Sequence, residues 1–178
     1  MNDNIKKLLK DGPEQQLVVG PIVERLISNG WDLDQIIFGK NEWKVPKTPS
    51  EASKREQGVS FDYFPVDIAV FDSVATCGDY RHLLFVIECK KPNLDVGLQQ
   101  LETYLGLEPH VKLGIWANNA DVSATTMFVY KSAKGLSYPQ KRTVKDLPLM
   151  GASFTPDSVI LKFSDLVIPT KDTLYRAF

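Results

Sequence analysis

The side chains in this chain best suited to chemistry are Asp67, Glu88 and Lys90. Glu88 and Lys90 lie in Val86-Ile87-Glu88-Cys89-Lys90-Lys91-Pro92, at the end of an apolar run. Asp67 lies in Pro65-Val66-Asp67, inside a second such run. Runs of this kind read as buried strands. A buried strand does not hold carboxylates and an ammonium without a partner or a metal, because desolvating an unpaired charge is costly. Two carboxylates and a lysine converging at one sheet edge suggest metal-dependent hydrolysis of a phosphodiester.

Strand parity sharpens this reading. Alternate residues of a strand share a face. Leu84, Val86, Glu88 and Lys90 therefore point one way, and Leu83, Phe85, Ile87 and Cys89 the other. In the upstream run Pro65, Asp67, Ala69 and Phe71 share a face. A suitable register brings Asp67 to Glu88. Two hard carboxylate oxygens with open water positions suit Mg²⁺, with Mn²⁺ as an alternative. The backbone carbonyl of Cys89 is a candidate further ligand. Lys90 would then face the attacking water and the charge that develops on phosphorus. Without these neighbours Glu-x-Lys would mean little, since the pattern is common on solvated helices and edge strands.

The elements that must position these residues follow from pattern. Pro13 to Ile27 reads as a helix, with Asp11 a candidate N-cap and Gly30 a stop. Gly20-Pro21 is expected to kink or split it. Gln35–Phe38 reads as a short strand. The stretch 44–60 has no apolar period and reads as a loop. Phe61–Phe71 and His82–Lys90 read as two strong strands forming an antiparallel hairpin across the connection at 73–80. Pro92-Asn93 is expected to open a helix whose stripe is Leu94, Leu98, Leu101 and Leu105. Lys112–Ala117 and Thr125–Tyr130 read as further strands, with a turn at Asn118-Asn119. The segment 131–150 reads as a basic loop, and Val159–Phe163 as a late strand or helix start. The order implies an α/β (α+β) fold, a mixed sheet flanked by helices.

Composition narrows the class. The 178 residues suit one domain, and 43% hydrophobic residues allow a substantial core. No apolar run approaches the roughly 20 residues that span a bilayer, and the N-terminus lacks a signal-peptide core. A cytoplasmic location is the expectation, with which the two cysteines, Cys77 and Cys89, agree weakly. The net charge of −1 argues mildly against autonomous tight DNA binding. Lys131, Lys134, Lys141, Arg142 and Lys145 nevertheless cluster in one stretch. Singly each reads as solvated; together they suggest a phosphate-facing, DNA-binding patch. No phosphate-binding P-loop, dinucleotide fingerprint or serine nucleophile elbow is present in the sequence.

Pro65-Val66-Asp67 followed by Ile87-Glu88-Cys89-Lys90 resembles the PD-(D/E)XK nuclease superfamily. More narrowly, the surroundings resemble the N-terminal nuclease domain of type I restriction enzyme R subunits. The similarity runs from about Glu14 to Lys131 and includes Gly-Ile-Trp-Ala-Asn-Asn (114–119) and Phe128-Val129-Tyr130-Lys131. Gln100-Leu101-Glu102-Thr103-Tyr104 resembles the Gln-xxx-Tyr motif of that branch. The resemblance implies a restriction-endonuclease-like core acting on double-stranded DNA, with Gln100 and Tyr104 holding DNA or organising Lys90 and the metal. It also implies a glutamate from the first helix, Glu14 rather than Glu24. Finally, it implies that 1–178 is one nuclease-like domain, the N-terminal fragment of a larger restriction protein. Other domains or subunits, including any ATP-driven motor or a methyltransferase, would then lie outside this chain.

Trp31 and Trp116 read as core aromatics, His82 and His110 as isolated histidines, and Asp62 and Asp72 as solvated strand ends. Two competing functions remain open. One is a catalytically silent nucleic-acid-binding or assembly module on the same fold. The other is an unrelated α/β enzyme acting on a small phosphorylated substrate, which a register leaving Asp67 far from Glu88 would favour.

Overall fold

The computed structural model describes residues 1–91, 94, 96–111, 113–118, 126–132, 135–136 and 140–142. A central mixed sheet carries helices on both faces, as the pattern predicts. The described elements are α1 (Asp3–Leu8), a π-helical turn Gln15–Val19 running into α2 (Gly20–Ser28), and β1 (Ile36–Pro46). They continue with α3 (Pro49–Glu56), β2 (Tyr63–Phe71), β3 (Leu83–Cys89), α4 (Leu98–Leu107) and β4 (Leu113–Ala117). The described strands end with β5 (Thr126–Ser132), β6 (Gly135–Leu136) and β7 (Gln140–Arg142). The spatial order is β1-β2-β3-β4-β5-β6, and β7 also pairs β5. β1, β2 and β3 are successively antiparallel, and β4 runs parallel to β3 through the α4 crossover.

β3 is the axis of the fold. Its residues are buried on both faces except for Leu84, which explains the unbroken apolar run before Glu88. Phe85, Ile87 and Cys89 pack with Ile22, Leu26, Trp31 and Phe38 under the N-terminal helices. On the other face Val86 packs with Leu101, Tyr104, Leu105 and Trp116 under α4. Close seating of α4 depends on Gly114, where a Cβ would stand 2.8 Å from Leu101 Cδ1 and 3.0 Å from Leu105 Cδ1. Trp31 and Trp116 are both buried core residues, as expected.

Several expectations need correction. The first helix starts without a side-chain cap from Asp11; its opening turn is π-helical, with the Gly20 N–H donating to the Gln15 carbonyl. Pro21 has no N–H to continue the α pattern, and the wider turn absorbs that lost bond. The helix ends at Ser28, with Gly30 in the left-handed region as its stop. β1 extends to Pro46, well past Phe38; its pairing shifts between Phe38 and Trp43, and the polar residues there hide the strand. The stretch read as a loop holds α3. No residue of that helix is fully buried; it is held by Thr48 capping Glu51, Pro49 in its first turn, the Glu51–Lys54 pair at 2.9 Å and the Arg55–Glu108 pair at 2.5 Å. α1 also went unread, because it is short and Ile5 is its one buried residue.

α4 begins at Leu98; Leu94, Val96 and Gly97 ahead of it are not helical, and Pro92-Asn93 lie outside the described residues. The preceding carbonyls are taken by side chains instead of a helix. Trp116 Nε1 donates to Val96 O at 2.7 Å, and Asn118 Nδ2 donates to Leu94 O at 2.5 Å. The segment read as a basic loop contains Lys131 in β5 and Lys141 and Arg142 in β7. Lys134, Lys145, Asn119 of the expected turn and Val159–Phe163 lie outside the described residues. Among the described residues no helix is long and apolar enough to cross a membrane.

Candidate active site

The register of the central hairpin decides whether the carboxylates meet. Ile68 pairs Ile87 and Ala69 pairs Val86 in antiparallel sense. One step further along the same register sets Asp67 opposite Glu88. The backbone agrees: the Cys89 N–H donates to Asp67 Oδ2 at 2.7 Å. The displacement that would have favoured an unrelated phosphate enzyme is therefore absent from this hairpin. Parity holds for Val86, Phe85, Ile87 and Cys89 but not at the start of the strand, where Leu83 packs with Val86 and Leu84 with Phe85 and Ile87, beside the register shift between Val70 and Phe71. Glu88 stands on the α4 face, and Cys89 is fully buried in the opposite layer.

Glu88 is 4% exposed. One of its oxygens, Oε1, lies 3.1 Å from Lys90 Nζ. The other, Oε2, is buried with no hydrogen-bond partner. A carboxylate oxygen is an acceptor only, and leaving one buried and unmatched is unfavourable. Burial, reinforced by the Asp67 charge and then by Glu14, pushes Glu88 up to about 8 against the pull of Lys90. Burial also pushes Asp67 up to about 6, aided by the Glu14 charge and resisted by the Cys89 N–H, Lys90 and Lys10. Like charges held together in a desolvated site are what a cation would relieve. For Lys90, burial alone acts to lower the pKa, but Glu88 and Asp67 outweigh it, and the ammonium is held above its ordinary value.

The remaining candidates divide. Glu14 is half-buried at the start of the π-helical turn, and its charge reaches Asp67, Glu88 and Lys90. It lines a cleft of about 390 Å³ together with Asp67, Lys10, Gln15 and Lys91. Glu24 is exposed on α2. Tyr104 is buried on α4, and its hydroxyl donates to Pro65 O at 3.3 Å, two residues before Asp67. Burial pushes its phenol up, with Glu88 and Asp67 adding to the effect. Gln100 is exposed on the same helix, one turn earlier. Cys89, whose carbonyl the sequence offers as a further ligand, meets Asp67 through its N–H. His82 pairs with Asp72 at 2.8 Å on an exposed turn, and His110 is exposed.

Two contributors escaped sequence reasoning. Lys10 pairs with Glu42 and its charge acts on Asp67, across a separation in sequence that no local pattern reveals. Gly97 adopts φ +99 immediately before α4, beside the ends of Lys90 and Gln100. A lone glycine between a strand-end lysine and a helix was a readable signal for the second.

Among the described residues no group of three or more His, Cys, Asp and Glu side chains is arranged to enclose a metal. Two carboxylates with room for waters and a substrate oxygen is instead the pattern by which Mg²⁺ is held. The unmatched Glu88 Oε2 fits such an ion, because it is a hard, buried acceptor lacking a donor. No protein-family model, curated protein or solved structure was found to match the chain.

Proposed function

We propose that the chain is a Mg²⁺-dependent DNA endonuclease domain of the PD-(D/E)XK type, similar to the nuclease domain of type I restriction enzyme R subunits. The observation that supports it most is Glu88 beside Lys90 with its Oε2 buried and unmatched, while Asp67, one step past the Ile68–Ile87 pair, accepts from the Cys89 N–H. Asp67 and Glu88 would hold the ion, with Glu14 a further acidic neighbour. A divalent cation there supplies the polarisation of a phosphoryl oxygen and the acidified water that phosphodiester hydrolysis needs.

The chain's own residues do the rest. The Cys89 N–H fixes the Asp67 carboxylate, so its free oxygen keeps one orientation. Lys90 stays charged and offers its protons to a phosphate oxygen, where negative charge grows in the transition state. Tyr104, hydrogen-bonded to Pro65 O, braces the approach of β2 to Asp67. Lys131, Lys141 and Arg142 belong to the DNA-binding part of the proposal, with double-stranded DNA as the substrate. Further subunits or domains would supply targeting and any ATP-driven motion.

Plasmid relaxation tests this reading. Supercoiled DNA incubated with the protein and Mg²⁺ or Mn²⁺ should be nicked, with no nicking in EDTA. Lys90→Ala and Asp67→Ala should abolish it. Equal cleavage by both variants and wild type would remove the assignment. Salt-dependent DNA binding without metal binding or cleavage would favour the silent module.

A further inference from the structure

Gly97 occupies a place where its hydrogen matters more than its backbone freedom alone explains. Its φ of +99 lies in the left-handed region that glycine enters without penalty. A Cβ built on it would collide with Lys90 Cε and stand 3.3 Å from both Lys90 Nζ and Gln100 Oε1. The volume a side chain would fill is therefore taken by the end of Lys90. The same ammonium reaches Glu88 at 3.1 Å.

The backbone at this point is anchored on both sides. Val96 O accepts from Trp116 Nε1 at 2.7 Å, and Trp116 lies directly across from Glu88 on β4. Gly97 O accepts from the Leu101 N–H at 3.1 Å, in the first turn of α4. Leu101 in turn presses on Gly114. Gly97 thus has no easy route away from Lys90. A side chain introduced here must displace the flexible partner, which is the lysine.

We propose that Gly97 is a positioning residue: the space left by its missing side chain seats the Lys90 side chain and holds its ammonium against Glu88. The inference rests on the reading of Lys90 as the residue that faces the scissile phosphate. It adds a requirement on α4 that the Asp, Glu and Lys positions do not contain, namely that the residue before Leu98 carry no Cβ. A glycine kept only for its φ makes a different demand, because asparagine tolerates the left-handed region and would serve there.

Gly97→Asn and Gly97→Ala separate the two roles. Gly97→Asn should lower the urea midpoint modestly, through the collision with Lys90 Cε, and Gly97→Ala, which adds backbone strain at φ +99, should lower it further. Both should cut kcat for Mg²⁺-dependent plasmid nicking by about 10²-fold, the effect of losing one electrostatic stabiliser, with KM for DNA within about twofold. A double-mutant cycle with Lys90→Ala supplies a readout independent of cleavage. Gly97→Asn should lower the urea midpoint less in the Lys90→Ala background than in wild type, because the colliding Cε is gone. Wild-type kcat in Gly97→Asn, or an additive cycle, overturns the inference. If wild-type protein cleaves no DNA with either metal, the nuclease reading falls and the cycle alone decides the seat.

Discussion

Glu88→Gln isolates the charge that burial makes most unfavourable. The Glu88 carboxyl titrates near 4.5 when solvated and is pushed up to about 8 in the fold, by burial and by Asp67. A raised acid binds its proton more tightly in the folded state. Its contribution to stability is therefore complete below about pH 4.5 and is lost as pH rises through about 8. That interval corresponds to about 5 kcal/mol, at about 1.4 kcal/mol per pH unit. Glutamine is neutral throughout and lacks this loss. The variant gives up the Lys90–Glu88 pair at 3.1 Å, but Lys90 keeps access to water. For a chain of this size roughly 2–4 °C accompany each kcal/mol. Thermal unfolding in EDTA should thus converge near pH 5, with the variant melting on the order of 10 °C above wild type at pH 9. Mg²⁺ at about 100 times its Kd should then raise wild type by about 3 kcal/mol and leave the variant unmoved. Parallel pH curves, or an equal gain from Mg²⁺ in both proteins, would refute the reasoning.

Three further outcomes follow from packing and hydrogen bonding. Arg55→Ala removes the contact of Arg55 Nη1 with the nearly inaccessible Glu108 at 2.5 Å; urea unfolding should show a loss of about 1.5–3 kcal/mol. Gly114→Ala thrusts a methyl against Leu101 and should cost about 1–3 kcal/mol in the same assay, with Leu101→Ala in the same chain recovering part of it. Tyr104→Phe removes the hydrogen bond to Pro65 O and should lower stability by about 1 kcal/mol. If Tyr104 braces Asp67, Mn²⁺ affinity by calorimetry should weaken in the same variant, whereas unchanged affinity would confine Tyr104 to the core.

The parts of the fold that were legible in the sequence are those whose pattern is set by burial. β2 and β3 announce themselves because both faces of β3 are covered, which leaves Leu83–Ile87 an uninterrupted apolar run. The leucines of α4 show the same logic with helical spacing. Elements whose stability comes from polar or local interactions left no such trace. α3 depends on the Thr48 cap and an ion pair, and the second half of β1 is broken by a register shift among charged residues. The start of α4 is hidden because Leu94 fits the stripe, although its carbonyl is claimed by Asn118, just past β4.

The candidate site divides along the same line. Parity alone placed Glu88 with Lys90 and sent Cys89 to the opposite layer. Register could not be read, since it depends on how the irregular turn at 73–80 closes and on the shift beside Phe71. Lys10 acts across a tertiary separation, where only the folded chain reveals the partner.

The central claim is that Asp67 and Glu88 share a divalent cation, and Mn²⁺ anomalous diffraction tests it directly. Crystals saturated with Mn²⁺ should show an anomalous peak about 2–2.5 Å from a carboxylate oxygen of each residue, absent in Glu88→Gln. A saturated crystal with no peak between them, or with Lys90 filling the space at both carboxylates, would contradict the account.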